Sequence, residues 1–225
     1  MGKERIKCLL IQPHSDDVLF SCSHILFSDK YDCEVLTIEN NPKRVAEDTK
    51  LYEFLNLRYN HLNVEFDDQS YYSFHKKYDE VTVENSYEHL QEFFGHGVLD
   101  KIESEFVSFL KKFKKKNQEP IVFIVPWGIG HPFHMFVRFI CEKHIDEKSL
   151  LFYREFPHSY KKRSKKQVEK QQKIYELFDE VDVKPFADVK WNLAKKFYKT
   201  QSGLMFFEQG YINKQLPEEI YIKKK

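Results

Sequence analysis

The chain has 225 residues, 41% of them apolar and 32% charged, with a formal net charge of +1. A chain of that length buries about 70% of its unfolded surface, enough for one enzyme-sized domain, and the near-neutral balance excludes a global pull towards nucleic acid or a membrane surface. No stretch approaches the ~20 apolar residues of a membrane span, and Met1 to Arg5 is too charged for a signal peptide, so a cytoplasmic protein is expected.

The first apolar run, Ile6, Cys8, Leu9, Leu10 and Ile11, ends at Pro13 and predicts a buried strand. Leu19, Cys22, Ile25 and Leu26 then recur at helical spacing, so His14-Ser15-Asp16-Asp17 occupies a strand-to-helix turn. A second strand is expected near Glu34 to Ile38, a helix from about Lys43 to Leu57, and a third strand near Leu62 to Phe66. The stretch Asp67 to Asn85 has no clear period and predicts a long loop, whose Tyr71, Tyr72, Phe74 and His75 are candidate pocket residues but fit a solvated loop better.

A long helical pattern runs from about Tyr87 to Lys115, broken near Gly95-His96-Gly97. Ile121 to Val125 is too β-branched and short for a helix and predicts another buried strand. The turn Pro126-Trp127-Gly128-Ile129-Gly130 follows, and Pro132 suits the first position of the next helix. His131 then falls near the N-cap and His134 one turn on, so their imidazoles share a face. Leu150 to Phe156 reads as a further strand and Lys165 to about Leu177 as a helix. The alternation predicts an α/β fold with right-handed crossovers and a mainly parallel sheet, in one domain over residues 1–225.

Both histidine clusters therefore lie beyond the carboxyl ends of strands, where open α/β sheets bind ligands. Catalytic zinc takes three His or carboxylate ligands and leaves a position for water; His14, Asp17 and His134 would serve. Asp16 is then the carboxylate left to accept the water's proton, and His131 is placed to stabilise an oxyanion or protonate a leaving amine. The pattern points to a hydrolase.

Gln12-Pro13-His14-Ser15-Asp16-Asp17-Val18-Leu19 resembles the PHPDDE-type signature of the LmbE-like, or PIG-L, zinc-dependent N-deacetylases, and His131-Pro132-Phe133-His134 resembles that family's HPDH segment. Arg44-Val45-Ala46-Glu47 is similar to its Arg-x-x-Glu helix, and Asp188 to Ala194 with Tyr198-Lys199-Thr200-Gln201 to its tail, so the likeness spans roughly residues 5 to 205. The resemblance implies a Rossmann-like three-layer sandwich with helices on both faces of the sheet. It makes His14, Asp17 and His134 ligands of Zn2+, or of Fe2+ or another divalent ion, Asp16 the general base and His131 the acid or oxyanion-stabilising group. It also implies a substrate-binding role for Arg44, which the residue chemistry alone does not single out, and an N-acetylglucosamine unit in a glycan, glycolipid or small glycoside as substrate.

Three positions depart from the pattern: Ser15 for proline, Val18 for glutamate and Phe133 for aspartate. The last removes a carboxylate that would hold and charge His131, so it predicts a weaker acid and also fits a catalytically idle sugar- or protein-binding relative. The lysine runs at Lys111 to Lys116, Lys161 to Lys166 and Lys223 to Lys225 read as solvated faces, not a nucleic-acid surface. Assembly into a homo-oligomer is left open. His24 is expected to pack or face solvent; His158, which follows a strand end, is within reach of the pocket rim but is not taken as a site residue. Cys8, Cys22, Cys33 and Cys141 form no C-x-x-C pair and are expected to be buried thiols in a reducing compartment.

Overall fold

In the computed structural model the described residues are 5–64, 81–95, 97–202 and 216–224. The fold is α/β, with a seven-stranded, mostly parallel sheet and helices. Its strands are β1 (Ile6–Gln12), β2 (Tyr31–Thr37), β3 (Arg58–His61), β4 (Val122–Pro126), β5 (Leu150–Tyr153), β6 (Tyr175–Val181) and β7 (Glu218–Lys223), in the spatial order β3-β2-β1-β4-β5-β7-β6. The first five pair in parallel; β7 runs antiparallel to both β5 and β6.

The strand order reverses between β1 and β4, which pair through Cys8 with Val122, Leu9 with Phe123 and Leu10 with Ile124. From β1 the chain steps outward to β2 and β3; from β4 it steps the other way to β5. Such a switch point opens a crevice beyond the strand ends. His14 follows β1 and His131 follows β4, so the topology alone brings the two sequence clusters together.

Alternation along β1 divides the interior. Leu9 and Ile11 join a core with Leu90, Leu99, Ile102, Phe106, Phe133, Phe136 and Ile140, while Cys8 and Leu10 join another with Val18, Leu19, Phe20, Leu51, Trp191 and Ala194. Burying a side chain of this size stabilises the fold by about 1.5–3 kcal/mol. The first core takes α4 (Ser86–Phe94), α5 (Val98–Lys116) and α6 (Pro132–His144); the second takes α1 (Asp17–Ser21), α2 (Ser23–Leu26), α3 (Pro42–Phe54) and α8 (Ala187–Phe197). In α5 the buried residues Leu99, Ile102, Phe106, Leu110 and Phe113 recur every three or four positions, and Lys114, Lys115 and Lys116 face the negative end of its dipole. The remaining helices are α7 (Lys165–Gln172) and α9 (Lys199–Ser202).

Several boundaries differ from expectation. The third strand is Arg58–His61, not Leu62 to Phe66, because its backbone pairs with Glu34 to Thr37 while Leu62 and Val64 turn into the core. The helix expected to reach Leu177 stops at Gln172, and Tyr175–Val181 pairs with β7 instead. The strand expected through Phe156 ends at Tyr153. Tyr71, Tyr72, Phe74 and His75 lie outside the described residues. Cys8, Cys22, Cys33 and Cys141 are buried free thiols, with Cys8 Sγ 3.1 Å from Cys33 Sγ. Among the described residues, no helix is long and apolar enough to cross a membrane.

Candidate metal centre

Asp16 and Asp17 sit where a helix N-cap is common, yet neither is used as one. Asp16 precedes α1 with φ 118° and ψ −27° and its side chain makes no capping bond. A non-glycine residue there costs of order 1–3 kcal/mol and persists only when its surroundings dictate it. The neighbouring carboxylate turns back: Asp17 Oδ2 accepts from the His14 backbone N–H at 2.8 Å. Gln12 braces the same turn, its Oε1 accepting from the Val18 N–H at 3.1 Å and its amide lying 2.9 Å from Asp48 Oδ2.

On the other side of the switch point, His131 is the N-cap of α6 and Pro132 occupies the first turn. His131 Nδ1 accepts from the Phe133 N–H at 3.2 Å, which places the ring proton of the neutral imidazole on Nε2. His134, one turn on, is fully buried.

The two halves meet. Asp17 Oδ2 is 3.3 Å from His14 Nδ1 and 3.4 Å from His134 Nε2, and the two ring nitrogens are 3.1 Å apart. His14, His131 and His134 also offer donor atoms within 4.8 Å of one another, a buried triple-histidine group that could hold a metal ion. Ligands at ~2.0–2.1 Å around a tetrahedral ion stand about 3.3–3.4 Å from each other. The Asp17, His14 and His134 atoms match that edge, and the set of two imidazoles and one carboxylate suits zinc or iron chemistry.

Charge in the site follows from burial and proximity. Burial and the Asp17 carboxylate push Asp16 well above the usual carboxylate range, against the opposing pull of Arg44 and His14. Burial would also raise Asp17, but His134 and His14 outweigh it and hold the group below its ordinary value. His131 is pushed well below the usual imidazole value by burial and by His134 and His14. Arg44, within electrostatic reach of Asp16, is held by Glu39 Oε2 at 2.7 Å. Its helix is tied to the tail of the chain: Glu47 accepts from the Thr200 N–H and hydroxyl at 2.9 and 2.6 Å, and Tyr198 donates to Asp48 at 2.6 Å.

Phe133, where the resemblance called for aspartate, points into the core beside Phe136, with ring centroids 5.9 Å apart. It also packs on His14 at 5.3 Å.

Two further residues were not expected in the site. His158 is buried, its ring perpendicular to His131 with centroids 4.8 Å apart and 5.1 Å from that of His134; burial and His134 push it well below the usual imidazole value. Glu155, fully buried, accepts from the Gly128 and Ile129 N–H groups and places Oε1 3.7 Å from His134 Nδ1. Both follow β5, the neighbour of β4, so strand order was the signal that would have found them. Gly130 makes the approach possible: at φ +73° its missing Cβ would lie 2.5 Å from Ser164 Oγ and 3.0 Å from the His158 carbonyl. His24 lies away from this group, bonded to Glu218.

No family model and no curated protein matches the chain.

Proposed function

We propose that the protein is a metal-dependent N-deacetylase of the LmbE-like, PIG-L type, acting on an N-acetylated amino sugar. The observation that carries this reading is the triangle of Asp17, His14 and His134 atoms with edges of 3.1 to 3.4 Å beside a second buried carboxylate, Asp16. Two cores sharing alternate residues of β1 support the family's three-layer arrangement.

His14, Asp17 and His134 would hold the ion, zinc or iron. Bound there, a divalent ion lowers the pKa of a water towards ~7 and polarises the acyl carbonyl. Asp16 takes the proton of the attacking water as the new C–O bond forms. It then carries that proton to the nitrogen as the C–N bond breaks, releasing amine and acetate. His131 acts as a neutral donor: Nδ1 accepts from the backbone at the start of α6, so the ring proton on Nε2 is the one it would give to the oxyanion. That role needs no charged imidazole, so the loss of the aspartate at Phe133 is tolerated. Arg44, steadied by Glu39, orients the sugar.

The test is metal content and amine release. Protein purified without added metal is expected to carry near-stoichiometric zinc or iron that is absent from His14→Ala, and to free amine from N-acetylglucosaminides in a chelator-sensitive way. Bound metal with no amine release over a broad N-acyl panel would leave a sugar-binding relative as the better reading. Equal, low metal content in both proteins after reconstitution would sink the metal site itself.

A further inference from the structure

We propose that Glu155 is the positioning carboxylate of this site: it fixes the proton of His134 on Nδ1 and so keeps Nε2 open for the metal. The proposal rests on the metal reading above and concerns a residue with no counterpart in the motifs that suggested it.

The two nitrogens of His134 face different surroundings. Nε2 lies among the candidate ligand atoms, 3.4 Å from Asp17 and 3.1 Å from His14. Nδ1 is buried on the other side, has no hydrogen-bond partner among the described residues, and is 3.7 Å from Glu155 Oε1. Glu155 Oε2 is likewise buried and without a partner there. A buried donor and a buried acceptor left open beside each other each carry a desolvation cost that is removed if they bond. An imidazole whose Nε2 is a metal ligand must carry its proton on Nδ1, and a carboxylate receiving that proton raises the basicity of the ligating nitrogen. At 3.7 Å the contact is an ion-pair distance and not yet a hydrogen bond. Oε1 is anchored by the Gly128 and Ile129 N–H groups, which leaves Oε2 as the carboxylate oxygen without a partner among the described residues to receive the Nδ1 proton.

The same anchoring makes Glu155→Gln a sharp test. The two backbone donors select the amide oxygen for themselves, so the NH2 group is left to face His134. It offers a donor to Nδ1, which moves the ring proton to Nε2, the position the metal needs. The variant is expected to keep its fold, with an unchanged circular dichroism spectrum, while its affinity for Zn2+ falls ~10–100-fold in a chelator competition and the absorption of its Co2+ form weakens in parallel. A Gln variant that binds Zn2+ within twofold of the wild type, with the same Co2+ spectrum, overturns the proposal and leaves the deacetylase reading untouched. A wild type that binds no metal overturns both. If the variant fails to fold, the ring 15N shifts of His134 in the zinc-loaded wild type decide: a proton on Nδ1 with the downfield shift of a carboxylate bond is expected, and an Nδ1 proton with no such shift refutes the role. None of these readouts requires turnover, so absence of amine release counts against the proposed reaction only.

Discussion

Two buried polar groups flank the short helices after β1, and they are built on opposite principles. Around Glu218 the charges close: Ser23 Oγ and Lys190 Nζ reach Oε1 at 2.5 and 2.7 Å, the His24 N–H and Nδ1 reach Oε2 at 2.9 and 2.7 Å, and Lys190 also donates to the Phe20 carbonyl at 2.6 Å. Around His134 a carboxylate oxygen and two ring nitrogens converge across 3.1 to 3.4 Å, the two nitrogens at hydrogen-bond distance, while His134 Nδ1, Glu155 Oε2 and His158 Nδ1 have no partner among the described residues. Burial exacts hydrogen bonds from polar groups. A cluster that satisfies its acid with its own donors serves the architecture, and one in which ligand-type atoms converge could hold an ion.

That contrast breaks most readily at Asp16. Asp16→Asn is expected to retain metal and to lose amine release by a factor of ~10²–10⁴, read as turnover at equal metal content; undiminished activity would remove Asp16 from the chemistry. In the closed cluster the same kind of change should cost stability and nothing else. Lys190→Met strands the Glu218 carboxylate and is expected to destabilise by ~3–5 kcal/mol, measured from urea midpoints, with metal affinity preserved in the folded fraction. Loss of metal without loss of stability would reverse the assignment of the two clusters.

Acid sharpens the comparison further. Burial would raise Glu218, but Lys190 and His24 outweigh it and hold the group down to about 2. A carboxylate depressed on folding contributes stability that is present above its unfolded value of ~4.3 and lost as pH falls towards the folded one. Unfolding free energy should therefore drop by roughly 3 kcal/mol between pH 5 and pH 2 on this account, and Glu218→Gln should flatten that part of the profile. A variant profile parallel to the wild type would show that other carboxylates dominate. The smallest effect on stability is expected from Asp16→Gly: relief at φ 118° should add about 1 kcal/mol, a rise of about 2–4 °C in Tm, while turnover falls as in Asp16→Asn. A fall in Tm would mean that the Asp16 side chain contributes more to the fold than its backbone costs.

The parts of this site legible in the sequence are those carried by local pattern. His14 to Asp17 and His131 to His134 each follow an apolar run that could only be a buried strand, and the alternation of elements brought the two runs to one sheet. Glu155 escaped because nothing local marks it, and the strand end before His158 is too weak a mark to make it a site residue; both matter only once β5 lies beside β4. The far edge of the sheet escaped for another reason. In β6 Leu177 and Phe178 are both exposed, so the strand lacks the two-residue alternation of a half-buried one, and its Lys- and Gln-rich approach reads as continuous helix. Arg58–His61 was hidden by polarity, being an edge strand whose pairing with β2 is a matter of backbone. Arg44 had no residue-level signal at all: its place near Asp16 depends on where α3 packs.

The insertion of β7 between β5 and β6 bears on the order in which the molecule is made. Among the described residues β6 joins the sheet through β7 alone, so that pairing waits until residues some forty positions later have been synthesised, and closing such a distant contact is slow. The strands that carry the histidines are complete by Pro126 and α6 by His144. On the ribosome His14, Asp17 and His134 are thus all present well before Glu218 arrives to brace α2 and α8, so the candidate metal centre is complete in sequence before the second polar cluster can form.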